Sequence, residues 1–76
     1  MKQKNIKILE TLLNNMEAFQ TALEAIIQDE QEAFDNLSES YQNSEKGEER
    51  QEHIDLLQEA SDNITEAISN CYSAIE

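Results

Sequence analysis

Apolar residues recur along this chain at alternating intervals of three and four. From Leu9 the series runs through Leu12, Met16, Phe19, Leu23 and Ile26, then through Glu30 and Ala33 to Leu37. That spacing is the a/d heptad of a helix packed along one seam. Leu13, Ile27 and Phe34 add an apolar flank at the e positions. The second half repeats the pattern with Ile54, Leu57, Ser61, Ile64, Ile68, Cys71 and Ile75, and its g positions are His53, Ala60, Ala67 and Ala74. The period-two alternation of a half-buried strand appears nowhere. Pro is absent, and Gly47 is the only glycine. The pattern predicts an all-α chain forming one domain over residues 1–76. Its helices are expected at residues 4–37 and 44–75, joined by a connection at 38–43. Helices of similar length on a short connection predict an antiparallel, coiled-coil-like hairpin.

A single hairpin seam leaves part of these faces uncovered. The first helix has apolar residues at a, d and e; the second adds small alanines at g. A chain of 76 residues with one cysteine can form no internal disulfide and is marginal as a lone unit. Assembly into a four-helix bundle or a higher homo-oligomer is therefore expected. A monomeric hairpin is the alternative.

Charge narrows the function. Seventeen acidic residues face five basic ones, a net charge of -12. Lys2, Lys4 and Lys7 stand at the start, Lys46 and Arg50 near the middle. Direct nucleic-acid binding needs a basic footprint that this chain lacks. An anionic membrane surface is disfavoured for the same reason. No apolar run reaches the ~18 residues of a membrane span. One thiol and no secretory-type start lead to a cytoplasmic expectation. Like-charge pairs at i,i+4, such as Asp55–Glu59 and Asp62–Glu66, lack compensating lysines, so packing must hold the helices. Glu10, Glu17 and Glu24 form one acidic stripe; Glu45, Glu52, Glu59 and Glu66 form another. Their ~10 Å axial spacing is sparse beside a duplex charge every ~1.7 Å. DNA mimicry is thus a weaker reading than a basic protein partner or a solvated face.

Catalytic patterns are missing. Di-iron bundles need paired Glu-x-x-His motifs, but His53 is the only histidine and Arg50 stands three residues before it. The acidic run "DEQEAFDN" lacks the glycine and ligand spacing of a calcium loop. Cys71 falls on a core d position. Neither a phosphate-cradling loop nor a Ser/His/Asp set can be built. The expectation is a non-enzyme with no metal and no cofactor.

The stretch "FDNLSESYQNSEKGEER", Phe34 to Arg50, departs from plain helix. Ser44 can cap the second helix, with Glu45, Glu48 and Glu49 at its positive end. Gly47 then lies in the first turn, where it costs ~1 kcal/mol relative to Ala; its presence points to close approach of backbone, side chain or ligand. Two readings follow. In one, the stretch is a capped turn whose Lys46 and Arg50 neutralise Asp29, Glu30, Glu32 and Asp35. In the other, Phe34, Tyr41, Asn43, Ser44, Lys46 and Arg50 form a site for a small anion or nucleotide, with helix N–H groups as donors and Tyr41 or Phe34 stacking on a base. The neighbouring glutamates oppose a highly charged phosphate. Glu30 interrupts the seam, and an unpaired carboxylate there would be costly. The hairpin brings Arg50 near it, which predicts a polar core pair, Glu30 with Arg50, that sets register.

The run "DEQEAFDNLSESYQNSEKGE", followed by "IDLLQEASDNITEAISNCYSAIE", resembles a recurring set of small acidic proteins in phages and prophages of Gram-positive bacteria. Their middle typically reads like EEQEAFDNLPESLQ-SERGE and their tail like a repeated IDNLEEAIDS. The resemblance covers about residues 24 to 76, and it departs at Ser38, where Pro is common, and at Lys46, where Arg is common. It implies a phage setting and a helical hairpin with a distinctive centre. Small non-enzymatic phage proteins often counter host defence. The functional expectation is an anti-defence inhibitor that binds a host protein with a basic patch in the cytoplasm of the infected cell. The alternatives are a sponge for a nucleotide-like immune signal, at the central segment or between protomers, and an acidic DNA mimic or structural scaffold.

Overall fold

The computed structural model describes residues 1–76 and is helical almost throughout. Helix α1 spans Gln3–Asp35, a short helix α2 spans Glu39–Gln42, and helix α3 spans Glu45–Ile75. The expected connection at 38–43 thus contains a helical turn of its own, and the first helix stops two residues before Leu37. The physical cause is Ser38. Its backbone is extended (φ -58°, ψ 149°), and its Oγ accepts from the Tyr41 N–H at 3.2 Å. A serine that caps the next helix cannot continue the previous one.

α1 and α3 lie antiparallel in a rod of 57 × 15 × 14 Å. The core is thin, with seven of 76 residues buried, so each core contact carries a large share of the packing. Leu23, Ile27, Phe34 and Ile54 form its main cluster, with Leu37, Leu57, Ala60 and Ile64 packed against it. On α3 the seam follows the expected a/d positions. On α1 it is rotated. The a residues Leu9, Met16 and Leu23 turn inward together with the e residues Leu13, Ile27 and Phe34, whereas the d residues Leu12, Phe19 and Ile26 are 51%, 59% and 52% exposed.

The connection closes by backbone contact. Ser44 caps α3: its Oγ accepts from the Gly47 N–H at 3.2 Å and donates to the Tyr41 carbonyl at 2.5 Å. Gln42 caps the other side. Its Nε2 donates to the carbonyls of Phe34, Asp35 and Leu37 at 3.1, 3.3 and 3.1 Å, around the end of α1. A Cβ on Gly47 would stand 2.1 Å from the Tyr41 carbonyl oxygen and 2.7 Å from that of Gln42. The close approach expected at this glycine is therefore that of the α2 backbone.

Gly47→Ala would gain helix propensity, about 1 kcal/mol. The opposing atoms are backbone and cannot swing away, and overpacking of this kind costs ~1–3 kcal/mol. Urea unfolding of Gly47→Ala is expected to show a net loss of stability. An unchanged or higher midpoint would show that the connection yields freely.

Candidate functional site

The two sides of the hairpin differ in chemistry, and the difference follows heptad position. One side is crossed by polar contacts. Gln20 of α1 donates through Nε2 to the Ser61 carbonyl at 3.2 Å and to Thr65 Oγ1. Gln31 and Gln51 exchange hydrogen bonds at 3.2 Å. The Tyr72 hydroxyl donates to Glu17 Oε1 at 2.5 Å. All three α3 side chains here, Gln51, Thr65 and Tyr72, occupy e positions. Glu24, Gln28, Glu32, Asp55 and Gln58 line the groove on this side.

The opposite side is open and apolar. Leu12, Asn15, Met16 and Phe19 of α1 form a shallow groove with Ile64 of α3. Its d and g positions carry no formal charge from Ile8 to Ile26 on α1, nor from His53 to Ala74 on α3 with His53 neutral. The acids of these stretches occupy b and f: Glu10, Glu17 and Glu24 on α1, with Asp55, Glu59, Asp62 and Glu66 on α3. A chain of net charge -12 thus presents one uncharged flank over residues 8–26 of α1 and 53–74 of α3.

The central segment places its candidate residues in different environments. Phe34 is 7% exposed within the core cluster, so its ring is not free to stack on a base. Tyr41 is exposed. Asn43 ends α2, its N–H bonded to the Glu39 carbonyl at 3.1 Å. Ser44 uses its hydroxyl for the cap described above. Lys46 is exposed and makes no ion pair, so the expected neutralisation of the facing acids falls to Arg50 alone. Arg50 meets Glu30 at 3.7 Å, with side chains 36% and 46% exposed. The two groups sit at the rim of the seam, each more than a third exposed, and not inside it as a core pair. Such a pair contributes ~0–1 kcal/mol. Ser61, by contrast, is buried, and its small side chain lies where the amide of Gln20 crosses the seam.

Gln42 and the Gln20–Thr65 contact did not stand out in the heptad pattern. A glutamine is an ordinary helix-surface residue, and only its place relative to a helix end or a neighbouring helix reveals the bond. Cys71 is half-buried as a free thiol on the α3 seam. No helix is long and apolar enough to cross a membrane. Comparison with protein-family models, curated proteins and solved structures finds no match for this chain.

The Tyr72 phenol is held above its ordinary value of 10.0, chiefly by the hydrogen bond to Glu17, with desolvation and the charges of Glu17 and Glu10 adding to it. A raised value means that the bond stabilises the fold below pH 10 and is lost as pH rises through the folded-state value. In a Tyr41→Phe background, ultraviolet titration should find Tyr72 ionising late, and Glu17→Gln should bring it earlier. A titration that Glu17→Gln leaves in place would exclude this contact.

Proposed function

We propose that this protein is a non-enzymatic binding protein of phage type, an anti-defence inhibitor that acts on a host protein in the cytoplasm of the infected cell. It works as a homo-oligomer, a four-helix bundle or larger. The observation that supports binding through charge is the segregation of carboxylates. Glu24, Glu32 and Asp55 gather along one groove, and Glu52, Asp55 and Glu59 along the next face of α3. A basic patch meeting these faces gains complementary potential, which raises association rate and specificity and weakens with salt. The phage setting rests on the resemblance of residues 24–76.

A nucleotide sponge at the central segment is the weaker reading. Its stacking candidate Phe34 is in the core, and the Ser44 hydroxyl is committed to the Tyr41 carbonyl. A site between protomers remains the form of that reading compatible with this geometry.

The test is co-purification from the bacterial host at low and high salt. One host protein should be retained at low salt and released at high salt. Replacing Glu24, Asp55 and Glu59 by their amides together should weaken that complex about tenfold, ~1.4 kcal/mol. Capture that neither salt nor the three substitutions change would reject the acidic faces as the binding surface.

A further inference from the structure

We infer that the uncharged flank is covered by a second copy of this chain, forming a dimeric, all-antiparallel four-helix bundle with its acids on the outside. This inference rests on the homo-oligomer in the reading above and names its surface and stoichiometry; it is independent of which host partner is bound.

Three observations lead to it. The first is area. The single chain exposes 5723 Å². A compact monomer of 8.7 kDa exposes about 4,700 Å². The excess, about 1,000 Å², is of the order that one partner buries in a standard interface, about 800 Å².

The second is where that surface lies. Leu12, Phe19 and Ile26 are more than half exposed and stand seven residues apart, so they form one straight stripe on α1. The α1 heptad thus presents two apolar sides, and α3 covers only one of them. Ile64 reaches the same groove from the other helix.

The third is charge. A basic partner would find no carboxylate at the centre of this flank. A second copy would bring the same neutral surface, so two chains of net charge -12 can meet without carboxylates at the centre of the contact. Over these stretches their acids remain at b and f, in water.

The shapes agree with a two-fold axis parallel to the helices. That axis sets α1 of each copy against the partner's α3 at the same height. Gln20 is level with Ser61 and Thr65 in the hairpin. Phe19 would therefore fall beside the partner's Ala60 and the partner's Ile64, with the partner's Ala67 one turn beyond Ile64. Large side chains on α1 then meet small ones on α3, which allows close packing.

Light-scattering mass across a dilution series tests the inference, with Phe19→Glu compared against Asn14→Glu. Both changes add one negative charge to α1, but Asn14 lies at an exposed f position away from the flank. Wild type and Asn14→Glu should weigh twice 8.7 kDa, and Phe19→Glu should weigh 8.7 kDa. If Phe19→Glu also loses helix by circular dichroism, the wild-type melting temperature decides: it should fall on hundredfold dilution, as for a fold coupled to dimerisation. A wild-type monomer, with a melting temperature that dilution does not move, would sink both this inference and the proposed oligomer. A wild-type dimer that Phe19→Glu leaves intact, or that Asn14→Glu disrupts equally, would sink the flank alone. A mass above two chains would overturn the stoichiometry.

Discussion

The amide of Gln20 lying across Ser61 and Thr65 governs how this hairpin is put together. It selects which side of α1 faces α3. Leu13, Ile27 and Phe34 turn into the seam with it, and Leu12, Phe19 and Ile26 turn out. A rotation of α1 the other way would bury the d residues and carry the amide of Gln20 away from its acceptors. The exchange between Gln31 and Gln51 and the bond from Tyr72 to Glu17 repeat the same choice along the rod. Each is a modest interaction, but all three act on the same rotation and register.

The two ends of the rod are built differently. At the closed end, backbone meets backbone: α2 presses on the first turn of α3, and Gly47 provides the space. Ser38, Gln42 and Ser44 bond to backbone groups around the helix ends. At the open end, α1 begins at Gln3 without a side-chain cap and α3 runs to Ile75. The central segment owes its unusual composition to this construction. Ser38 and Ser44 are caps, the glycine is a contact, and Arg50 pairs with Glu30 at the rim. The side chains of Tyr41 and Lys46 are exposed there, and Lys46 forms no ion pair.

Separation of charge from apolar surface gives the molecule its possible uses. Acids on b and f leave one flank neutral, and a strong net negative charge coexists with a surface fit for apolar packing. A bundle assembled through that flank would display carboxylates outward on both copies, and paired acidic faces increase the effective concentration of a basic partner's sites. The proposed oligomer and the proposed binding role thus draw on one distribution of side chains.

The heptad spacing of Leu9 to Leu37 and of Ile54 to Ile75 was enough to specify two long helices and their antiparallel arrangement, since only period and length are needed for that. Ser44 as a cap, Gly47 as a contact point and the Glu30–Arg50 pairing were also legible, because caps and antiparallel register follow local rules. The end of α1 at Asp35, the turn of helix at Glu39–Gln42 and the role of Gln42 were not, because each depends on how chain segments meet in space. The rotation of α1 belongs to the same class. Apolar residues at a, d and e permit either an a/d or an a/e seam, and a linear pattern does not distinguish them. Polar contacts with α3, far away in the chain, make the choice. That choice buried Phe34 and left Phe19 facing water.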